Sequence, residues 1–147
     1  MKRTLALLLA LSAAAAMATA SPAAATRRSG TLHVTKNCSQ YDPNTAGSSC
    51  TITGSNIEAI KNGAKVVYAS AAVNGKLDSD LYITGPGHNR VYGHVVLELA
   101  TLTGVVTLSG GTGPYKNFQA GPLNVACPDF PVCTWEGPYS FAKSDDD

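Results

Sequence analysis

Short runs of apolar and β-branched residues, most of them alternating with polar residues, follow one another along the chain from about residue 30 onward. A period of two places successive side chains on opposite faces of a β-strand. Eight such runs are present, at Thr31–Lys36, Ser49–Thr53, Lys65–Val73, Ser79–Thr84, Arg90–Leu99, Gly104–Ser109, Phe118–Ala126 and Thr134–Phe141. The pattern therefore predicts eight β-strands, most of them with one apolar face.

The last run shows the alternation most clearly. One face of it is largely apolar and carries Cys133, Trp135, Gly137, Tyr139 and Phe141. The opposite face is polar apart from Pro138. Because proline has no N–H to donate, we expect a bulge or a sheet edge at this position.

Turn-forming residues separate the runs. Asn74-Gly75 is typical of a type I′ hairpin turn, and the glycines of Gly85–Gly87 and Gly110–Gly113 mark further reversals. Only Ser55–Lys61 suits a helical turn, because Ser55 and Glu58 form a capping-box pattern. The sequence therefore predicts an all-β protein with at most one short helical turn.

Eight short, mostly antiparallel strands with one buried face either stack as a sandwich or close into a barrel. Closure leaves no exposed strand edges. The chain has 147 residues, of which 44% are hydrophobic, enough for the core of one domain. We predict an eight-stranded, mostly antiparallel closed β-barrel, whose interior is filled by side chains or holds one small ligand.

The first residues read as an export signal. Lys2 and Arg3 precede an apolar run, and Ala18-Thr19-Ala20 supplies the small-x-small pattern of a cleavage site, with Ala25 as a second candidate. A retained N-terminal anchor is the alternative. The predicted organisation is a signal peptide at 1–20, a flexible lead-in at 21–29, a barrel domain at 30–143 and an acidic tail at 144–147. We therefore expect an extracellular protein, with no membrane association once the signal is cleaved.

All four cysteines lie in the exported part. An even number in an oxidising compartment predicts two disulfides, which four cysteines can form in three ways. We favour Cys38–Cys50 and Cys127–Cys133, since each pair brackets a short turn-rich segment. No Cys-x-x-Cys is present, so a zinc site is disfavoured and neither a metal nor another cofactor is predicted.

The charge balance excludes two classes of protein. The formal net charge is +1 and lysines and arginines do not cluster into the basic stripe of a nucleic-acid-binding protein. Only 14% of residues are charged, and apolar residues are plentiful, which argues against intrinsic disorder.

One segment resembles a known family. Leu108–Tyr115, continued by Phe118–Gly121 and the strand at Leu123–Val125, resembles a motif of the dirigent and allene oxide cyclase superfamily, a strand that ends in Gly-Gly-(Thr/Ser)-Gly-x-(Phe/Tyr). Gly93–Val96 and Trp135–Phe141 are similar to further strands of that superfamily. The resemblance implies an eight-stranded barrel with a hydrophobic cavity. Members of the superfamily cyclise a substrate or guide phenoxy-radical coupling. The superfamily's catalytic side chains are not placed on this chain by the motif.

The fifth run carries candidate catalytic residues. Tyr92, His94 and Glu98 share one face by the period of two. Inside the lumen they would supply a proton donor, a base and a carboxylate. The opposite, aliphatic face is the better core candidate, however, so the pattern favours placing all three outside; His94 is the first residue to test.

Four aromatic side chains are expected to point inward: Tyr68, Trp135, Tyr139 and Phe141. They either pack the core or line a site for a lipophilic ligand.

Two functions fit the sequence. The first is a secreted, disulfide-crosslinked barrel that binds a small hydrophobic molecule, with or without steering of the allene oxide cyclase or dirigent kind. The alternative is a non-enzymatic interaction or carrier module with a packed barrel. A lumen cavity of about 300 Å³ or more would favour the first. A homo-oligomer is also compatible with the sequence.

Overall fold

The protein is a closed antiparallel barrel. A computed structural model describes residues 29–142. The strands are β1 (Ser29–Asn37), β2 (Ser49–Ser55), β3 (Lys65–Tyr68), β4 (Lys76–Thr84), β5 (Arg90–Glu98), β6 (Thr103–Gly111), β7 (Phe118–Asp129) and β8 (Val132–Phe141). Each strand pairs with the next in the chain, and β1 closes the barrel on β8. The predicted all-β barrel is confirmed.

The predicted signal peptide, most of the lead-in and the acidic tail lie outside the described residues. Within residues 29–142, no helix has the length and apolarity needed to cross a membrane.

The third strand is shorter than its apolar run suggested. It ends at Tyr68, and the chain returns to the ladder only at the isolated Val73–Lys76 bridge. Between those two residues, Asn74 has a φ of 50° and Gly75 a φ of 75°. Two successive positive φ angles are what a type I′ turn requires, so that prediction is confirmed.

The predicted helical turn at Ser55–Lys61 is wrong. Ser55 still belongs to β2, and the segment after it is an irregular loop. The Asn56 side chain pairs with the backbone of β1, accepting from the His33 N–H and donating to the Thr31 carbonyl, both at 2.8 Å. This pairing with β1 prevails over the local capping signal. The two short 3₁₀ turns lie elsewhere, at Pro86–His88 and Gly113–Tyr115.

Side chains fill most of the barrel interior. The alternation predicted from the sequence is visible on β4, where Leu77 and Leu81 are buried while Asp78 and Asp80 are exposed. The largest fully buried side chains include Trp135, Phe118, Leu32, Ile52, Ile60, Ile83, Leu108 and Leu123.

The barrel wall is irregular opposite Pro138. The β7–β8 register shifts between Ala120 and Asn124, so that the extra residues of β7 face Gly137 and Pro138. A side chain at Gly137 would place its Cβ 2.4 Å from the Pro122 carbonyl oxygen, which explains the glycine there. The bulge expected from Pro138 is therefore present.

The two ends of the barrel differ in their loops. Loops 38–48, 69–75, 99–102 and 130–131 lie at one end, which we name the disulfide end. Loops 56–64, 85–89 and 112–117 lie at the other, which we name the capped end. Both disulfides lie at the disulfide end: Cys38–Cys50 links the residue after β1 to β2, and Cys127–Cys133 links β7 to β8. They confirm the predicted pairing.

Candidate functional site

A buried lysine lies in the lumen near the disulfide end. Among residues 29–142, Lys36 is the only buried lysine, arginine, aspartate or glutamate, with 4% of its surface exposed. It reaches this position because it shares the inward face of β1 with Leu32 and Val34. Its Nζ donates to the Tyr68 hydroxyl at 2.5 Å and lies 4.9 Å from the centroid of the Trp135 ring. The lysine is held by a phenol and aromatic faces rather than by a counter-ion.

Burial sets the protonation of this site. It lowers the pKa of Lys36 to about 7, because removal from water penalises the ammonium form. The same burial raises the pKa of the Tyr68 hydroxyl, which stays neutral. Near neutral pH, Lys36 is therefore divided between an ammonium that donates hydrogen bonds and an amine with a free electron pair.

A small cavity of about 30 Å³ adjoins Lys36. Its polar lining is Lys36, Tyr41 and Tyr68; its apolar lining includes leucine side chains and both disulfides. No described carboxylate lines it. This volume suffices for one or two water-sized groups. It is about a tenth of the ~300 Å³ expected of a pocket that encloses a drug-sized ligand.

Two polar groups around Lys36 are buried and have no hydrogen-bond partner within residues 29–142. The Tyr41 hydroxyl and the Trp135 Nε1 have no hydrogen-bond partner among the described residues. The Tyr41 ring packs edge-on against Tyr68, with their centroids 5.3 Å apart. Buried donors are nearly always paired in proteins, so two such groups around one buried lysine are unusual. They leave this part of the lumen with more donors than acceptors.

Apolar side chains cover the cavity at the rim of the disulfide end. Leu99, Leu102 and Phe130 line it, and Phe130 is itself 53% exposed. Val73 and Val132 at the same end are 68% and 40% exposed. The rim formed by Leu99, Leu102 and Phe130 therefore presents apolar surface directly above the buried lysine.

The candidate catalytic residues of β5 lie on the outside of the barrel. Tyr92, His94 and Glu98 are exposed, whereas Val91 and Val95 point into the core. The expectation that the aliphatic face forms the core is confirmed, and the lumenal placement of Tyr92, His94 and Glu98 is wrong. The reason is the greater apolar area that the valine and leucine face buries.

His94 instead belongs to an ion-pair cluster on the outer surface. Its Nδ1 lies 2.8 Å from Asp80 and its Nε2 lies 2.8 Å from Asp78. The hydrogen bond with Asp80, followed by that with Asp78, raises the pKa of His94. The described residues contain no group of three or more acidic, histidine or cysteine side chains suited to a metal.

The four predicted inward aromatics divide between the two ends. Tyr68 and Trp135 contact Lys36. Tyr139 and Phe141 pack with Phe118 near the capped end, at centroid distances of 6.2 and 4.8 Å from its ring. Only Tyr68 and Trp135 therefore belong to the cavity region.

Lys36 and Tyr41 were not predicted from the sequence. A signal for Lys36 was present, since the period of two in the first run places it on the face of Leu32 and Val34. An ionisable residue on an apolar strand face is unusual and marks a candidate site. Tyr41 lies in the loop 38–48, where no periodicity indicates which side chain turns inward.

Comparison with family models, with curated proteins and with solved structures gives no match to this chain. The glycine motif that resembles the dirigent and allene oxide cyclase superfamily lies at the capped end, where Gly113 packs against Asn89. The motif therefore forms the barrel end opposite Lys36.

Proposed function

We propose that this protein binds a small apolar molecule with a compact acceptor head, a carbonyl or a carboxylate, at the disulfide end. The observation that carries the proposal is the buried Lys36 amine, which has no counter-ion among residues 29–142 and adjoins a cavity beneath an exposed apolar rim. The head accepts hydrogen bonds from Lys36, and the apolar remainder lies on Phe130 and its neighbours.

The cavity size decides how such a ligand is held. About 30 Å³ accommodates a carbonyl or carboxylate group and little more. The rest of the molecule therefore stays at the rim, where Leu99, Leu102 and Phe130 supply apolar contact.

The hydrogen-bond donors at the cavity determine which ligand group binds there. A buried ammonium without a counter-ion is costly, and an anionic or strongly polar acceptor lowers that cost. Tyr41 lines the same cavity, and its hydroxyl, which has no described partner, is a second donor for the same group.

A steering role of the allene oxide cyclase or dirigent kind is part of the same proposal. Holding one ligand conformer at the rim needs few acid or base groups. Two disulfides suit a protein that works outside the cell, so the ligand is one encountered there.

The filled lumen favours a second candidate, a packed interaction module. The inward side chains of the described strands pack most of the interior. In that case the exposed Val73, Phe130 and Val132 would contact a macromolecular partner rather than a small ligand.

Titration with hexanoate and 1-hexanol distinguishes the two candidates. Trp135 is the only tryptophan of the chain and lies beside Lys36, so its fluorescence reports on the cavity. We expect a saturable change with hexanoate, weaker by on the order of tenfold or more in Lys36→Met, because a charge-assisted hydrogen bond is lost.

Lys65→Met is the matched control. Lys65 is exposed on β3, and its Nζ donates to the Thr51 hydroxyl at 2.8 Å, away from the cavity. Hexanoate should therefore bind this variant as it binds the unmodified protein. A flat response to both probes in the unmodified protein would reject the binding proposal in favour of the packed interaction module.

A further inference from the structure

We infer that Lys36 forms a reversible imine with small unbranched aldehydes that enter the disulfide end. The inference rests on the proposed function, since it uses the same cavity. It specifies the carbonyl head as an aldehyde and the contact with the protein as covalent.

The surroundings of Nζ are those of a reactive amine. The elements packed against it contribute the Cys50 sulfur from β2 at 3.8 Å, the Tyr68 hydroxyl from β3 and the Trp135 ring from β8. Tyr41 completes the polar lining of the cavity from the loop 38–48. Among these groups only the two tyrosines titrate, and burial raises the pKa of both, so no negative charge holds Lys36 as an ammonium.

Desolvation is a recognised means of making a lysine nucleophilic. With a pKa of about 7, close to half of Lys36 is neutral amine at neutral pH. Lys61, Lys65, Lys76 and Lys116 are exposed on the surface and lack this desolvation. Within residues 29–142, Lys36 is thus the one lysine amine that burial activates.

The reaction is balanced without an external oxidant or reductant. The Nζ electron pair attacks the carbonyl carbon and a C–N bond forms; the nitrogen gives up one proton and the carbonyl oxygen takes one, which yields a neutral carbinolamine. The oxygen then takes a second proton, the C–O bond breaks and water leaves, and the iminium nitrogen loses its remaining proton to give the imine. The Tyr68 hydroxyl, 2.5 Å from Nζ, is placed to pass protons between nitrogen and oxygen.

The cavity also restricts the aldehyde. A volume of about 30 Å³ accepts the CHO group, whereas a branched α-carbon requires more room. The apolar rim excludes water from the imine and slows its hydrolysis.

Reductive trapping tests the inference. The full chain is incubated with hexanal and cyanoborohydride at pH 7, digested, and analysed by peptide mass spectrometry. We expect one hexyl group on Lys36, with labelling exceeding that of Lys61, Lys65, Lys76 and Lys116 by on the order of tenfold or more. Branched 2,2-dimethylbutanal should leave Lys36 unlabelled. Equal labelling of all five lysines would overturn the inference.

The variant Tyr68→Phe tests whether the Tyr68 hydroxyl transfers protons, because it removes the hydroxyl and keeps the ring that packs against Lys36. Labelling of Lys36 should slow by on the order of a hundredfold, as expected for the loss of a proton-transfer group. An unchanged rate in a folded Tyr68→Phe protein would overturn the role of Tyr68.

The hexanoate titration keeps the two proposals distinguishable. If hexanoate binds saturably and displaces hexanal but Lys36 is not labelled, the proposed function stands and the imine is wrong. If hexanoate does not bind and hexanal labels only surface lysines, both are wrong.

Discussion

The capped end and the disulfide end close the same barrel in opposite ways. At the capped end, the Tyr115 hydroxyl donates to the Ala59 carbonyl at 2.6 Å, and Phe118 packs with Tyr139 and Phe141. At the disulfide end, the interior holds a lysine beneath exposed apolar side chains, and no residue of the described part of the chain serves as its counter-ion. The buried Tyr115 hydroxyl at the capped end has a hydrogen-bond partner, whereas the Tyr41 hydroxyl at the disulfide end has none among the described residues.

This difference indicates where function lies. Burying Lys36 and leaving the Tyr41 hydroxyl without a described partner both reduce the free energy of unfolding. Two disulfides crosslink that same end, and each reduces the conformational freedom of the unfolded chain. Unfavourable groups that a structure retains and offsets nearby are typical of binding sites.

Replacing Lys36 should have the largest effect on this comparison. We expect Lys36→Met to raise the free energy of unfolding at pH 7 by roughly 3 to 4 kcal/mol. The gain is the avoided cost of burying the lysine ammonium, reduced by the loss of the hydrogen bond to Tyr68. The pKa of Lys36 is about 7 when folded against 10.5 for the exposed group. The unfolded chain therefore binds more protons between those values, and the stability of the unmodified protein rises with pH across that window.

Urea unfolding of both proteins from pH 6 to 9.5 measures this. The gap between Lys36→Met and the unmodified protein should be widest at or below pH 7 and narrow as the pH increases. A Lys36→Met protein that is less stable at every pH would contradict the account.

Removing the disulfides should have the next largest effect. Cys38 and Cys50 are 12 residues apart, and Cys127 and Cys133 are 6 apart. Loop-closure entropy then predicts losses of roughly 3 and 2 kcal/mol for the paired alanine variants, measured by urea unfolding. Hexanoate affinity should also fall in both variants, because both pairs line the cavity. Unchanged hexanoate affinity would show that the disulfides do not shape the binding site.

Two tyrosine variants contrast the ends directly. Tyr115→Phe removes a satisfied hydroxyl, so we expect a loss of about 1 kcal/mol in stability and no change in hexanoate affinity. Tyr41→Phe removes a hydroxyl with no described partner, so stability should be unchanged or slightly higher while hexanoate binding weakens. If Tyr115→Phe weakens hexanoate binding and Tyr41→Phe leaves it unchanged, the binding site lies at the capped end and the account is contradicted.

The outer cluster should give the smallest effect. The pKa of His94 is raised by Asp80 and Asp78, so the cluster stabilises the fold below the ordinary histidine pKa, and that contribution is lost as the pH rises through the raised value. Since these groups are exposed, we expect His94→Gln to cost at most about 1 kcal/mol at pH 5 and nothing at pH 9, by thermal unfolding. Loss of hexanoate binding in His94→Gln would show that the outer face contributes to the site.

The barrel was predictable because alternation, turn residues and cysteine spacing all depend on local sequence. Asn74-Gly75 specifies its own turn, and the two cysteine pairs are close in the chain. The exception, the loop after Ser55, forms through Asn56 bonding to β1, a contact between distant residues.

The candidate site was less predictable for a related reason. Alternation identifies the inward face of a strand but not the depth at which a side chain lies or its neighbours. Lys36 meets Tyr68 and Tyr41 only because closure of the barrel brings β1, β3 and the loop 38–48 together. His94 was a candidate because histidine can act as an acid or a base. The aliphatic face of its own strand nevertheless predicted that the His94 side chain lies outside the barrel.

The most direct measurement is an NMR titration of the lysine side chains in protein labelled with ¹³C-lysine. We predict one lysine, assigned as Lys36 by its absence in Lys36→Met, that titrates near pH 7 and whose midpoint rises when hexanoate binds. The signals of the exposed lysines should not respond to hexanoate. A Lys36 signal that does not titrate near pH 7 and does not respond to hexanoate would contradict the account.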